Sequence, residues 1–154
     1  MTSNSIKKNV MKSTKFSVAV LLINPDNDKE FLVVKRPPDD DRLSNVWGLP
    51  AVTIQSNELP ENTVKRIGIE KLDTDIEATE YIGIKRSDRD DYELILIDIK
   101  AKLTGKQPSV EKAQTENTKY VDQQWTSDLN ILKDAASKGS LCSQIVLDAS
   151  SIDY

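Results

Sequence analysis

Apolar positions fall into short runs of two periods. Phe16 to Ile23, FSVAVLLI, is nearly continuous and rich in β-branched residues, the pattern of a strand covered on both faces. It predicts a central strand. Asn24-Pro25-Asp26-Asn27-Asp28 supplies turn chemistry, with Pro fixing φ and Asx side chains bonding the local backbone. Phe31 to Lys35 then returns as a second strand. Val46 to Ile54 reads as extended. Leu59 to Leu72 repeats Val64, Ile67, Gly68 and Leu72 at helical spacing. Pro60 suits the first helical position, and Glu61 complements the helix dipole. Gly68 costs a helix about 1 kcal/mol relative to Ala, so close packing against a neighbour is expected there.

The second half alternates. Glu77 to Lys85 and Tyr92 to Leu103 flank the charged stretch Arg86-Ser87-Asp88-Arg89-Asp90-Asp91 and predict an antiparallel hairpin with a solvated tip. Ile97, Ile99, Ala101 and Leu103 alternate with Asp98, Lys100 and Lys102, which predicts one wet face. Gly105 to Asn117 reads as a loop and Thr118 to Thr126 as a short strand. Ser127 or Asp128 can cap a helix over Leu129 to Ser137. Ser140 can begin the last helix, Leu141 to Leu147, after Gly139. Strands and helices without regular βαβ alternation argue an α+β fold, a mixed sheet covered by helices.

Composition narrows the chemistry. A chain of 154 residues fits one domain, here expected over 15–154, with 1–14 as a flexible arm. A net charge of −4 argues against extended nucleic acid or an anionic membrane as partner. The absence of histidine removes the usual neutral-pH base and histidine-held zinc. Cys142 is the only cysteine; it reads as a small buried apolar residue and fits a reducing, cytoplasmic setting. No apolar run reaches the roughly 18 residues of a membrane span, and no signal peptide is evident.

Taken alone, the stretch from Trp47 to Asp73 offers Glu58, Arg66, Glu70 and Lys71. Arg66 and Glu70 stand four apart on a helix, a surface ion pair by default. Lys35 and Arg36 at a strand end read equally as phosphate contacts or as a solvated pair. Trp47, Tyr120 and Trp125 are core more often than stacking platforms. Asp39, Asp40 and Asp41 sit in the loop RPPDDDRLSN; they read as a solvated acidic loop before they read as a cation site.

The same stretch resembles the signature of the Nudix (MutT-type) hydrolase superfamily, G-x5-E-x7-R-E-U-x-E-E-x-G-U, with U a bulky apolar residue. Val52 falls on the leading Gly, Glu58 on the first Glu, Arg66 on the Arg, and Glu70 on the first Glu of the later pair. WGLP and LVVKRP upstream and YVDQQW downstream extend the likeness over roughly Phe16 to Leu147. The departures are Ala51 and Val52 for the glycine pair, Ile67 for the Glu after Arg, Gly68 at an apolar position, Lys71 for the second Glu, and Asp73 for the late Gly.

The resemblance implies a mixed sheet sandwiched by helices and hydrolysis of a nucleoside-diphosphate-linked or other organic diphosphate, assisted by Mg²⁺ or Mn²⁺. It places catalysis on Glu70, and metal on Glu70, the Ala51 carbonyl, and Glu116 or Glu111. Lys71, Arg36 and Lys35 become substrate contacts, and Glu58 with Arg66 a structural pair. With two box glutamates replaced, a non-catalytic nucleotide- or metabolite-binding domain of the same fold is the alternative, and an interaction module, with a homodimer left open, is a third. Specificity falls to RPPDDDRLSN and the Gly105 to Asn117 loop.

Overall fold

The computed structural model describes residues 12–40 and 42–154; most of the expected arm, and Asp41, lie outside them. One mixed sheet organises these residues. Its main path runs β3 (Trp47–Gly48), β2 (Asn27–Lys35), β1 (Ser13–Asn24), β6 (Tyr92–Leu103), β5 (Ile76–Asp88). β4 (Ala51–Thr53) pairs antiparallel with the middle of β1, at Ser17 to Ala19, and β7 (Asp122–Thr126) with β2. β1 is central, as its unbroken apolar run predicts. It starts at Ser13, so Ser13 and Thr14 belong to the sheet. Its long partner is β6, and the two run parallel from Ser13↔Tyr92 to Ile23↔Lys102. The strand expected over Thr118 to Thr126 is confined to β7.

The alternating side chains of β1 divide the core in two. Val18, Val20 and Leu22 join Val64, Ile67 and Leu72 of helix α1 (Pro60–Leu72), while Ala19 joins a second cluster under helix α3 (Leu141–Ala149). Burying each of those α1 side chains is worth about 1.5–3 kcal/mol, which fixes the helix face toward the sheet. The segment expected as one helix over Leu129 to Ser137 divides into a 3₁₀ turn, Leu129–Leu132, and a short α2, Lys133–Ser137. Of the two candidate caps Asp128 is used, accepting from Asn130 N–H at 3.0 Å. Ser140 precedes α3 in extended conformation, but its side chain makes no cap bond.

Two positions, one in α1 and one just past its end, explain departures from the expected pattern. A Cβ on Gly68 would lie 2.8 Å from the Thr74 carbonyl and 2.9 Å from Ile76 Cγ1, so the chain leaving the helix folds back directly over it. Asp73, where the resembling pattern has Gly, adopts φ 52°, ψ 40° as the left-handed C-terminal cap, a conformation Gly takes most readily and Asp tolerates.

One expectation is overturned. The face of β6 carrying Asp98, Lys100 and Lys102 is wet only toward its end: Lys102 is exposed, but Asp98 has 0% exposure. Helix α3 covers this part of the sheet, where Leu96 of β6 and Cys142 of α3 belong to one buried cluster. Strict alternation reports which residues share a face, not what lies over it.

Candidate functional site

The segment from β4 to the end of α1 is held by one arginine. Arg66 Nε donates to Glu58 Oε2 at 2.9 Å and Nη2 to Glu58 Oε1 at 3.0 Å, a bidentate pair. Nη2 also donates to the Thr53 carbonyl at 2.7 Å, and Nη1 reaches the Glu70 carboxylate at 3.4 and 3.5 Å. All three guanidinium nitrogens are thereby engaged. Glu58 accepts further bonds from Gln55 N–H and the Thr63 hydroxyl. Arg66, helped by these donors, holds the Glu58 carboxyl well below its usual range, down to about 2. The pair ties the loop before α1 to β4 and sets the helix on the sheet.

Beside it opens a cleft of about 360 Å³, bounded by Arg36 at the end of β2, Ala51 to Gln55, the α1 side chains Arg66, Glu70 and Lys71, and the returning segment at Asn117, Thr118 and Tyr120. Tyr120 is buried in the core; its hydroxyl accepts from Ala51 N–H at 3.0 Å and reaches the Ala51 carbonyl at 3.4 Å. Glu70 keeps 39% of its side chain exposed. Lys71 is only 3% exposed. Its Nζ donates to the Thr118 carbonyl at 2.7 Å and lies 5.6 Å from the centre of the Tyr120 ring. Burial lowers the Lys71 pKa and the Arg36 and Arg66 charges add to that, while Glu70 opposes.

The three cations of this wall are not equivalent. Arg66 is matched by Glu58 and Arg36 by Asp40, at 3.1 Å. Lys71 is bonded to a carbonyl and has no carboxylate within ion-pair distance among the described residues.

The NUDIX domain model matches residues 14–139, from the first residues of β1 to the turn before α3. The chain belongs to the NUDIX family. Solved structures agree in fold. The MutT protein from Methanosarcina mazei Go1 is 15% identical, with a TM-score of 0.67 over 92% of this chain and 96% of that one. A NUDIX hydrolase from Nitrosomonas europaea is 12% identical, with a TM-score of 0.69 over 90% of each chain. An ADP-ribose pyrophosphatase from Streptococcus suis 89-1591 is 17% identical, with a TM-score of 0.57 over 91% and 94%. No curated protein matches the chain.

Nudix hydrolases generally use divalent metal ions, which in hard-ion sites sit among several oxygen ligands, carboxylates foremost. The residues here do not fit that demand. Of the acidic box positions, Glu58 is saturated by Arg66, Gln55 and Thr63, and only Glu70 faces the cleft. Glu116 lines a neighbouring hollow of about 650 Å³ with Pro37, Asp39 and Asp40. Glu111 is exposed in the loop and offers its backbone carbonyl to Lys119 Nζ at 2.8 Å. Among the described residues no three acidic or cysteine side chains are grouped to hold an ion, and a buried ammonium stands next to the one carboxylate available.

The structure thus brings Glu70, Lys71, Arg36, Ala51, Glu58 and Arg66 together and leaves Glu111 and Glu116 apart from them. Lys35 stands 6.0 Å from the Trp47 ring and is not part of the cleft wall. Trp47 and Trp125 pack against the two cores. Sequence reasoning missed Thr118, whose backbone carbonyl carries no residue-type signal, and the Tyr120 hydroxyl. It also missed the partner of Arg36: Asp40 was visible only as one of three loop aspartates.

Proposed function

We propose that this Nudix chain takes a small organic diphosphate, of the nucleoside-diphosphate-linked kind, into the cleft between β4, α1 and the 117–120 segment, and that it does so as a binding domain. Arg36 and Lys71, reaching the cleft from two walls, meet the phosphate oxygens; Arg66 keeps the scaffold in place. The observation that carries the reading is the Lys71 ammonium, 3% exposed, on the cleft wall and, among the described residues, bonded only to a carbonyl. A buried cation of this kind gains most from an anion delivered beside it, because low local polarity strengthens the attraction. A cytoplasmic setting belongs to the proposal and rests on the single, buried cysteine.

The test is a panel of nucleoside diphosphates, sugar-linked diphosphates and ADP-ribose, followed by calorimetry and by phosphate release with and without Mg²⁺ or Mn²⁺, on the native chain and on Glu70→Gln. Binding without turnover, changed only a few-fold by Glu70→Gln, is the expected result. Metal-dependent release abolished by Glu70→Gln would replace this reading with hydrolysis centred on Glu70. A panel that neither binds nor turns over defeats both.

A further inference from the structure

The family's chemistry asks for divalent charge at the end of α1, and the donor set there does not supply a cage for it. Lys71 occupies the position of a box glutamate. The side chain is buried, and its Nζ bridges the helix to the Thr118 carbonyl at 2.7 Å, so the ammonium is held between two of the segments that line the cleft. An ammonium carries three N–H donors. One is used by Thr118, and the Tyr120 ring at 5.6 Å offers its face rather than an acceptor oxygen. Arg36 and Arg66 already hold carboxylates, which leaves Lys71 as the wall's cation with donors to offer and no counter-ion among the described residues.

A divalent ion brought to Glu70 would meet this fixed positive charge at the neighbouring residue, and like charges on one cleft wall repel. A diphosphate meets the opposite situation, since the charge it needs is built in and pre-positioned. We infer that the Lys71 ammonium is the resident cation of this site, standing in for the family's metal, so that the chain takes its diphosphate ligand metal-free. This rests on the reading of the cleft as a diphosphate site.

The probe is inorganic pyrophosphate, titrated calorimetrically into the native chain in EDTA and again in excess Mg²⁺. Binding in EDTA, unchanged or weakened by Mg²⁺, is expected. Lys71→Gln, which keeps a donor for Thr118 but removes the charge, should bind about tenfold or more weakly in EDTA, the worth of one charge-assisted hydrogen bond. Lys71→Glu, if its circular dichroism and melting are native-like, should bind pyrophosphate only with Mg²⁺, because it restores paired carboxylates; Lys71→Gln carries the test if Lys71→Glu does not fold. Native binding that requires Mg²⁺, or Lys71→Gln binding as tightly as the native chain in EDTA, overturns the inference while leaving the diphosphate reading standing. No pyrophosphate binding under any condition overturns the inference, and the diphosphate reading falls with it when the organic diphosphate panel also fails to bind.

Discussion

The two faces of the sheet each bury an ionisable group, and they treat it differently. On the α1 face Lys71 has a carbonyl at 2.7 Å and a cleft in front of it. On the α3 face Asp98 has 0% exposure, and among the described residues neither carboxylate oxygen has a hydrogen-bond partner. Burial drives both toward the neutral form, lowering the lysine and raising the aspartate, to about 9. The first group is placed where an incoming anion can compensate it; the second has no such outlet. A buried ionisable group lines a cleft on one face, where the proposed ligand would compensate it, and is a stability liability on the other as pH rises.

The largest effect that would break this comparison is at Asp98. Its folded pKa lies above the unfolded value, so its contribution is fully present below about pH 4 and is lost progressively as pH rises toward about 9. Denaturant unfolding of the native chain should therefore weaken steadily between pH 5 and pH 8 on this account, in addition to other titrations, whereas Asp98→Asn should lack that component. Parallel profiles for the two proteins would mean that the α3 face carries no such liability.

The α1 face should show the opposite sign. Glu58 is depressed to about 2, so its stabilisation is present above its unfolded value near 4.5 and disappears as pH falls through about 2. Arg66 and Glu58 side chains are 17% and 13% exposed, and Arg66→Met or Glu58→Gln should cost about 3 kcal/mol at neutral pH, with the acid limb of the unfolding profile flattened. A loss under 1 kcal/mol would show the pair to be ornamental to the helix's position.

The smallest test is steric. A Cβ at Gly68 collides with the Thr74 carbonyl and Ile76, while at Gly48, on the other face, the nearest contact is Ser143 Oγ at 3.9 Å. Gly68→Ala should cost about 1–3 kcal/mol and Gly48→Ala less than about 0.5 kcal/mol. Equal melting shifts would remove the asymmetry.

The contrast also explains what was readable in the residues. Runs and alternation placed β1, β2, α1, β5 and β6, because each buries a face whose period is local. The Nudix likeness located Glu58, Arg66, Glu70 and Lys71 because their spacing along one helix and its lead-in is a local property too. Asp98 was read as wet because the cover over it comes from α3, more than forty residues later. The pairing of β1 with β6, the attachment of β7 to β2, and the Lys71 bond to Thr118 are likewise contacts between distant segments, and no window of sequence contains both partners.

The parallel β1–β6 ladder also governs the order in which the molecule can be made. Residues 13–23 find their long partner only once residues 92–102 have followed, and a loop of that length must close before the pairing returns any stability. Until then FSVAVLLI emerges as an apolar, β-branched strand with one edge open, the kind of segment that associates with other chains. β2 and β4, which emerge earlier and pair antiparallel on the opposite edge, are its first shelter during synthesis, and the sheet closes around it from that side.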